Sequence, residues 1–363
     1  MTVLRLATKD DDAQLRRLLR DNGMPGWVEM AIEREPSYFA GLDWFGRDWA
    51  VLAEERAEGR ARDAAQPGAE LVGMYSASIQ PLFVNGAVEQ VGYLGGLRVK
   101  AAHRRRIRHL REGYASIRPL APVPTSLPWW FTVVAADNQV ARRLLESGVR
   151  GLPRYRAIGG YTTHALAALR GRSRGLWRAV LPGELPRLLD WQCQLAAQQH
   201  LAPVLDEQRL AHIGLDGLRV CSDGETILGL ALLWDQRAWK QVVARRYRGA
   251  LRWLLPAWNS YAWLVRRVML PAQGEALKQT FIAFLTLAPQ VLADRSMSRD
   301  LLADLLACCP TPVAALGLHD DHALLPVLER FKPLRYAAKV YAVEFDEPAL
   351  LDDRPVQPEA ALF

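Results

Sequence analysis

The chain has 363 residues, 50% of them hydrophobic and 23% charged, which is ample apolar material for two cores and excludes wholesale disorder. Its 46 lysines and arginines against 39 acids leave a formal charge of +7, a balance that favours anionic partners without naming one. No run of about 18 uncharged apolar residues occurs, and residues 1–12 lack the layout of a secretion signal. Four cysteines, Cys193, Cys221, Cys308 and Cys309, offer neither a disulfide scaffold nor a zinc spacing. The expectation is a cytoplasmic protein with no transmembrane segment and no metal.

In chain order, residues 3–6 read as a strand, and Asp10 to Asp12 cap a helix carrying Leu15, Leu18 and Leu19 to Asn22-Gly23. Residues 49–53 form a second strand, and the polar, Ala/Gly-rich segment 54–68 is expected as an exposed loop. Residues 71–84 and 88–99 are strands joined by Asn85-Gly86, the strongest short hairpin signal. After Val99 the period changes: Ile107, Leu110, Tyr114 and Ile117 recur at helical spacing, and Pro119 stops the run. Eight cations lie between Arg98 and Arg118 with Glu112 the only acid, so a basic cluster opens a helix directly after a strand. Residues 130–134 are a buried strand. Asp137 caps a helix with Val140, Ala141, Leu144 and Leu145 inward and Gly148 at its end, and residues 157–163 return as a strand.

The basic, glycine-containing stretch 167–175 suits a linker. Beyond it the order repeats: helix 182–199, strands 218–222, 227–234 and 281–287, helix 299–308, strand 313–318, helix 322–331 and strand 337–345. Asp137 to Glu146 is echoed by Asp320 to Glu329, each after a buried strand, which points to a tandem duplication. Segment 234–268 interleaves Trp239, Trp253, Trp258 and Trp263 with Lys240, Arg245, Arg246, Arg248, Arg252, Arg266 and Arg267. Two readings stay open there. One is a surface for single-stranded nucleic acid or a membrane; the other is an amphipathic helix pair with Val242, Val243, Tyr247, Leu251 and Leu254 as a buried stripe broken at Pro256.

Tyr93-Leu94-Gly95-Gly96-Leu97-Arg98-Val99-Lys100-Ala101-Ala102-His103-Arg104-Arg105-Arg106, with the helix from Asp137-Asn138 to Glu146, resembles the GCN5-related N-acetyltransferase family, the acyl-CoA-dependent N-acyltransferases, in its fourth strand, pyrophosphate loop and later helix. The resemblance covers residues 3–165 in element order, and the second half in order and echo alone. It implies an α/β fold of two tandem domains, each a mixed, mostly antiparallel sheet flanked by helices. Residues 1–168 are then an acyl-CoA-binding domain, 169–175 a linker, 176–347 a second domain without cofactor and 348–363 a C-terminal tail. The implied reaction is acetyl transfer from acetyl-CoA to a primary amine of a small molecule or peptide, by direct attack in a ternary complex. No Cys/His or Ser/His constellation implies a covalent intermediate.

The family sets the pyrophosphate of coenzyme A on backbone N–H groups of a glycine-containing loop at a helix start, an anion site by virtue of its unpaired donors and partial positive charge. Here Ile107 and His109 stand at the glycine places. Cations in a first turn oppose the macrodipole by about 0.3–1 kcal/mol each, and a bound polyphosphate turns that penalty into attraction. Arg104, Arg105, Arg106 and either Arg108 or His109 are therefore assigned to the phosphates; the resemblance gives Leu97 and Val99 to the pantetheine arm, with Arg98 also cofactor-binding. Asn138 matches a cofactor-contact position; a plain helix-start role is its other reading. Tyr155, with Tyr161 as the alternative, is the candidate to protonate the leaving thiolate, and either also reads as core. Glu89, upstream of the acid-free Tyr93 to Gly95, is the candidate base or a solvent-facing strand residue. The competing functional class is a non-catalytic module that binds nucleic acid, a lipid surface or a protein partner through the basic, Trp-rich surfaces.

Overall fold

The computed structural model describes residues 2–24, 26–42, 47–55, 70–103, 107–168 and 173–363. The first half runs β1 (Thr2–Leu6), α1 (Asp12–Asp21), β2 (Val28–Glu33), β3 (Arg47–Glu55), β4 (Glu70–Val84), β5 (Ala87–Val99), α2 (Ile107–Ser116), β6 (Trp129–Ala135), α3 (Gln139–Glu146) and β7 (Arg154–Ala167). The second runs β8 (Arg178–Ala179), α4 (Leu185–Ala196), α5 (Glu207–Ile213), β9 (Leu218–Asp223), β10 (Thr226–Trp234), β11 (Gln241–Tyr247), α6 (Leu251–Leu264), β12 (Gln279–Leu287), α7 (Pro289–Ala293), α8 (Arg295–Ala307), β13 (Val313–His319), α9 (Leu325–Leu328) and β14 (Leu334–Glu344).

Local chemistry accounts for much of this. Leu15, Leu18 and Leu19, on one face at helical spacing, are all buried under α1. Asn85 and Gly86 both take positive φ, +51° and +82°, as the tight turn between β4 and β5 requires. Among the described residues, twelve strands form one mixed, mostly antiparallel sheet in the order β1-β3-β4-β5-β6-β14-β7-β13-β12-β10-β9-β8, and β11 pairs with β2 in a separate ribbon. Only β5–β6 and β12–β13 are parallel among these pairings. The last strand of each half lies inside the other half's run: β14 sits between β6 and β7, and β7 between β14 and β13. The interior follows suit, since one apolar cluster joins Leu82 and Phe131 to Leu230, Phe281 and Leu362. Each such side chain contributes about 1.5–3 kcal/mol on burial. No helix among the described residues is long and apolar enough to cross a membrane.

Several sequence expectations need correction. Residues 242–247 are strand, not helix, because Val242 and Val243 pair with Ile32 and Ala31 of β2; neither strand is marked by a nearby partner in sequence. The helix α6 runs through Pro256, and Leu254 faces outward. Glu54, expected in an exposed loop, is buried at the end of β3, where it accepts from Arg5, which also holds Asp11. Arg5, ahead of burial, keeps the Asp11 carboxyl down at about 2. Residues 56–69 lie outside the described residues. Asn138, not Asp137, caps α3, and Val140 is exposed. The helix expected at 322–331 is the short α9 followed by a 3-10 turn. Of the expected linker, Ala167 belongs to β7, residues 169–172 lie outside the described residues, and Ser173 and Arg174 are tied to the Asp304 carboxylate.

Candidate active site

β5 and β6 pair only at Gly92–Trp130 and Tyr93–Phe131. Gly92 permits that approach, since a Cβ there would meet the Trp130 ring at 2.1 Å. Beyond this point the strands part, with the Thr132 hydroxyl donating to the Leu94 carbonyl across the base of the gap at 2.6 Å. Gly96 then takes φ +60°, and the register against β4 slips between Met74 and Ser76, a bulge that turns β5 backbone groups out of the regular ladder. Any side chain at Gly96 would press on Ser76 at 2.5 Å.

The gap opens into a cavity of about 380 Å³, closed by Leu110, Gly113 and Tyr114 of α2 and by Ala141 and Leu145 of α3. Its wall extends to Leu4, Leu19 and Ile32, so most of it is apolar. Polar groups gather at a few points. Tyr114 and Tyr155 share a hydroxyl–hydroxyl hydrogen bond of 2.5 Å. Burial pushes the Tyr114 hydroxyl up to about 12 and that of Tyr155 well above the ordinary 10, so both stay protonated at neutral pH. Lys240, just before β11, reaches the cavity buried, and its Nζ donates to the main-chain oxygen of Phe363. Burial, reinforced by the Arg34 charge and opposed by Asp48, lowers its pKa from 10.5 to about 7. The Phe363 ring stacks on Tyr93 with centroids 5.7 Å apart.

Of the residues singled out in the sequence, Leu97, Arg98, Val99, His109, Asn138 and Tyr155 line this one cavity. Asn138 also serves its helix, accepting from the Ala141 N–H at 3.2 Å. Arg108 points away from the cavity, exposed and paired with Glu112 at 2.7 Å. Glu89 lies on the hairpin side of the Gly92–Tyr93 pairing, opposite Leu82, and does not reach the cavity wall. Tyr161 is buried in the sheet beside Gly317 rather than in the cavity. Arg104, Arg105 and Arg106 lie outside the described residues.

Lys240, Thr132 and Tyr114 are the site groups that sequence reasoning missed as such. A lysine inside a run of seven further basic residues carries no sign that it alone turns inward. A second grouping was also hidden, because its members come from separate elements: donor atoms of Glu55, His103 and His109 lie within 4.8 Å of one another. Glu55 approaches His103 Nδ1 at 3.5 Å, while Thr2 Oγ1 meets His109 Nδ1 at 2.9 Å. Two imidazoles and a carboxylate are a donor set suited to a divalent cation.

No family model matches the chain, and no curated protein matches it in sequence. Solved structures do match. The N-myristoyltransferase of Saccharomyces cerevisiae, in a structure with bound myristoyl-CoA, aligns over 97% of this chain and 87% of its own at TM-score 0.57 and 10% identity. A second structure of that enzyme with myristoyl-CoA covers 98% of this chain and 84% of its own at TM-score 0.58 and 10% identity. A GCN5-related N-acetyltransferase from Sphaerobacter thermophilus covers 96% of this chain and 98% of its own, at TM-score 0.51 and 13% identity. At such identities the likeness is one of architecture, and it spans both halves. The chain has the fold of the GCN5-related N-acyltransferases.

Proposed function

We propose that the chain is a cytoplasmic, acyl-CoA-dependent N-acyltransferase that uses the cavity between β5 and β6 and takes a primary amine as acceptor. The observation that carries this reading is the parting of the two strands after Tyr93–Phe131, with a glycine bulge on one side and residues of α2 and α3 lining the cavity so formed. A linear, amide-bearing arm fits there: Gly96 permits the positive-φ bulge, where a Cβ would press on Ser76, and the bulged edge presents backbone groups of the kind that pair with amides. Leu97, Arg98 and Val99 would hold that arm, Asn138 its flank, and His109 with Arg104, Arg105 and Arg106 the phosphates. Bound acyl-CoA supplies an acyl group activated as a thioester.

The protein's own groups supply the proton handling. Lys240, with a pKa near 7, is partly neutral at physiological pH, and its Nζ can then accept the proton that an ammonium acceptor must lose. This reading replaces Glu89 as base. The Tyr114–Tyr155 pair holds two protons, one shared between the oxygens and one free to donate toward the cavity. The apolar walls exclude water that would compete with the amine. For the second half we propose no cofactor, a reading supported by the way residues 357–361 bond to β12, β13 and their flanks in the equivalent place.

Acetyl is the donor group the sequence suggests. The apolar wall running to Leu4, Leu19 and Ile32 favours a longer acyl chain as a second reading, and the myristoyl-CoA complexes of a protein of this fold point the same way. Calorimetric titration with acetyl-CoA and a series of longer acyl-CoAs, beside an Arg104→Ala, Arg105→Ala, Arg106→Ala variant, tests both. One-site binding that the variant weakens, with thiol release on adding amines, is expected; the chain length with the highest affinity selects the donor. Absence of binding at millimolar cofactor overturns the assignment.

A further inference from the structure

The helix α6 reads Leu-Arg-Trp-Leu-Leu-Pro-Ala-Trp-Asn-Ser-Tyr-Ala-Trp-Leu, with Arg252 its single charge. Such a helix, with Arg252, Asn259 and Ser260 its only strongly polar side chains, is apolar over most of its circumference, a pattern found inside large cores or in lipid. Here it is in neither. Ala262 is buried, Trp258, Leu251 and Leu255 are half-buried, and Asn259 ties the inner side down through two hydrogen bonds of 2.9 Å to the Leu270 backbone. The outer side presents Trp253 (77% exposed), Leu264 (72%), Leu254 (56%) and Trp263 (55%). Trp27, at 80% exposed, lies near the foot of the helix, where its carbonyl accepts from the Arg248 N–H. Isolated apolar side chains on a surface are ordinary; a contiguous set of this size on one helix marks a binding surface.

Charge selects the partner. Between Asp235 and Glu275 the sequence holds eight cations and no acid. Arg246, Arg248, Arg252 and Arg266 are exposed around the helix, with the Arg252 guanidinium 5.2 Å from the Trp253 ring. On the adjoining strand β2, Glu33 is engaged by Arg245, and Glu29 stands opposite Arg246, so the acids are set back on the ribbon rather than on the helix. Tryptophan and tyrosine beside arginine, over aliphatic side chains, suit the boundary between headgroups and acyl chains. Nucleic acid would use the rings and cations, but leaves Leu254 and Leu264 without a partner. At 14 residues, about 21 Å long, the helix is too short to cross a hydrocarbon layer of about 30 Å. We infer that α6, with Trp27, lies in the surface plane of an anionic lipid bilayer and docks the protein there. The ribbon that carries this helix also contributes Ile32 to the cavity wall, next to Lys240. The inference stands independently of the acyltransfer reading.

The test is co-sedimentation of the full chain with vesicles of phosphatidylcholine alone and with about one phosphatidylglycerol in three, read together with tryptophan fluorescence. Binding to the anionic vesicles at least roughly tenfold tighter than to the neutral ones, with a blue-shifted emission and loss at high salt, is expected. A Trp253→Ser, Trp263→Ser, Leu264→Ser variant should keep its circular dichroism and lose vesicle binding. Arg248→Glu with Arg252→Glu and Arg266→Glu should lose the anionic preference. Equal or absent binding to both vesicle types overturns the inference. So does tighter, competing binding of a single-stranded oligonucleotide, or a dimer in light scattering that the serine variant converts to monomer.

Discussion

Between β5 and β6 the parallel pairing ends at Tyr93–Phe131; between β12 and β13 it ends at Phe281–Ala315. Three residues further on, the first strand of each pair takes positive φ, +60° at Gly96 and +52° at Phe284. Each antiparallel neighbour records the same slip of register, at Met74/Ser76 and at Leu230/Leu232. The contents of the two gaps differ. The first holds the cavity. The second is stitched by the chain itself: the Glu359 carboxylate accepts from the Phe284 N–H at 2.7 Å, Gln236 donates to the Ala361 carbonyl at 2.8 Å, and Gln357 bonds both the Gly317 carbonyl and the His319 N–H. Parted strands expose backbone groups that must find partners. The first gap is occupied by the cavity, and the second by the chain's own residues 357–361.

The largest expected effect concerns a group found at the first gap. Lys240→Met should lower kcat by about 10²–10⁴-fold while acyl-CoA affinity moves only a few-fold. In the parent, kcat should rise as pH passes about 7 and Lys240 sheds its proton, a rise the variant lacks. Steady-state kinetics across pH checks this, and an unimpaired variant removes Lys240 as base. Next comes the filling of the second gap. Leu362, buried there, should cost about 2–5 kcal/mol on Leu362→Ala, read from urea unfolding, with acyl-CoA binding unaltered. If acyl-CoA binding fell as well, the two gaps would be coupled rather than separate.

A smaller loss, roughly tenfold in kcat, is expected for Tyr155→Phe, because a donor with its pKa raised so far transfers its proton sluggishly. The lost hydroxyl pair should lower stability by about 1 kcal/mol. The mildest prediction sits on Glu359. Burial lifts its carboxyl from 4.5 to about 7, against the Ala361 and Phe284 N–H donors and the Arg209 charge. Between those values the folded chain keeps a proton that the unfolded chain has released, so stability falls as pH rises through the window and levels off above it. Glu359→Gln should flatten that fall, seen in denaturation midpoints at either end.

The sequence discloses what local chemistry determines. Asn85-Gly86 requires a hairpin, and the switch of period after Val99 requires a helix where α2 begins, so the strand–loop–helix that frames the cavity is readable from residues 71 to 117. Leu97, Arg98, Val99, His109 and Asn138, singled out through the family resemblance, line the cavity. Pairings across the chain are not readable. β2 and β11 stabilise each other across about two hundred residues, and Val242-Val243 fits a strand only once Ile32 is known to be opposite. Lys240 differs from Arg245 or Arg248 only in its enclosure. The outward turn of Leu254 likewise depends on which side of α6 meets Asn259 and Leu270.

The exchange of β7 and β14 has a consequence for how the chain is made. β7 is complete at Ala167, but the strand that separates it from β6 ends at Glu344. At roughly 5–20 residues per second, β14 emerges roughly ten to forty seconds after β7. Throughout that interval the facing edges of β6 and β7 have no strand between them, and unpaired edges recruit other strands. A chain interrupted between the halves would carry the same defect permanently, each piece lacking the strand that its counterpart holds. Biosynthesis of this protein is therefore exposed to misassembly at its midpoint, because the sheet cannot close between β6 and β7 until β14 has been made.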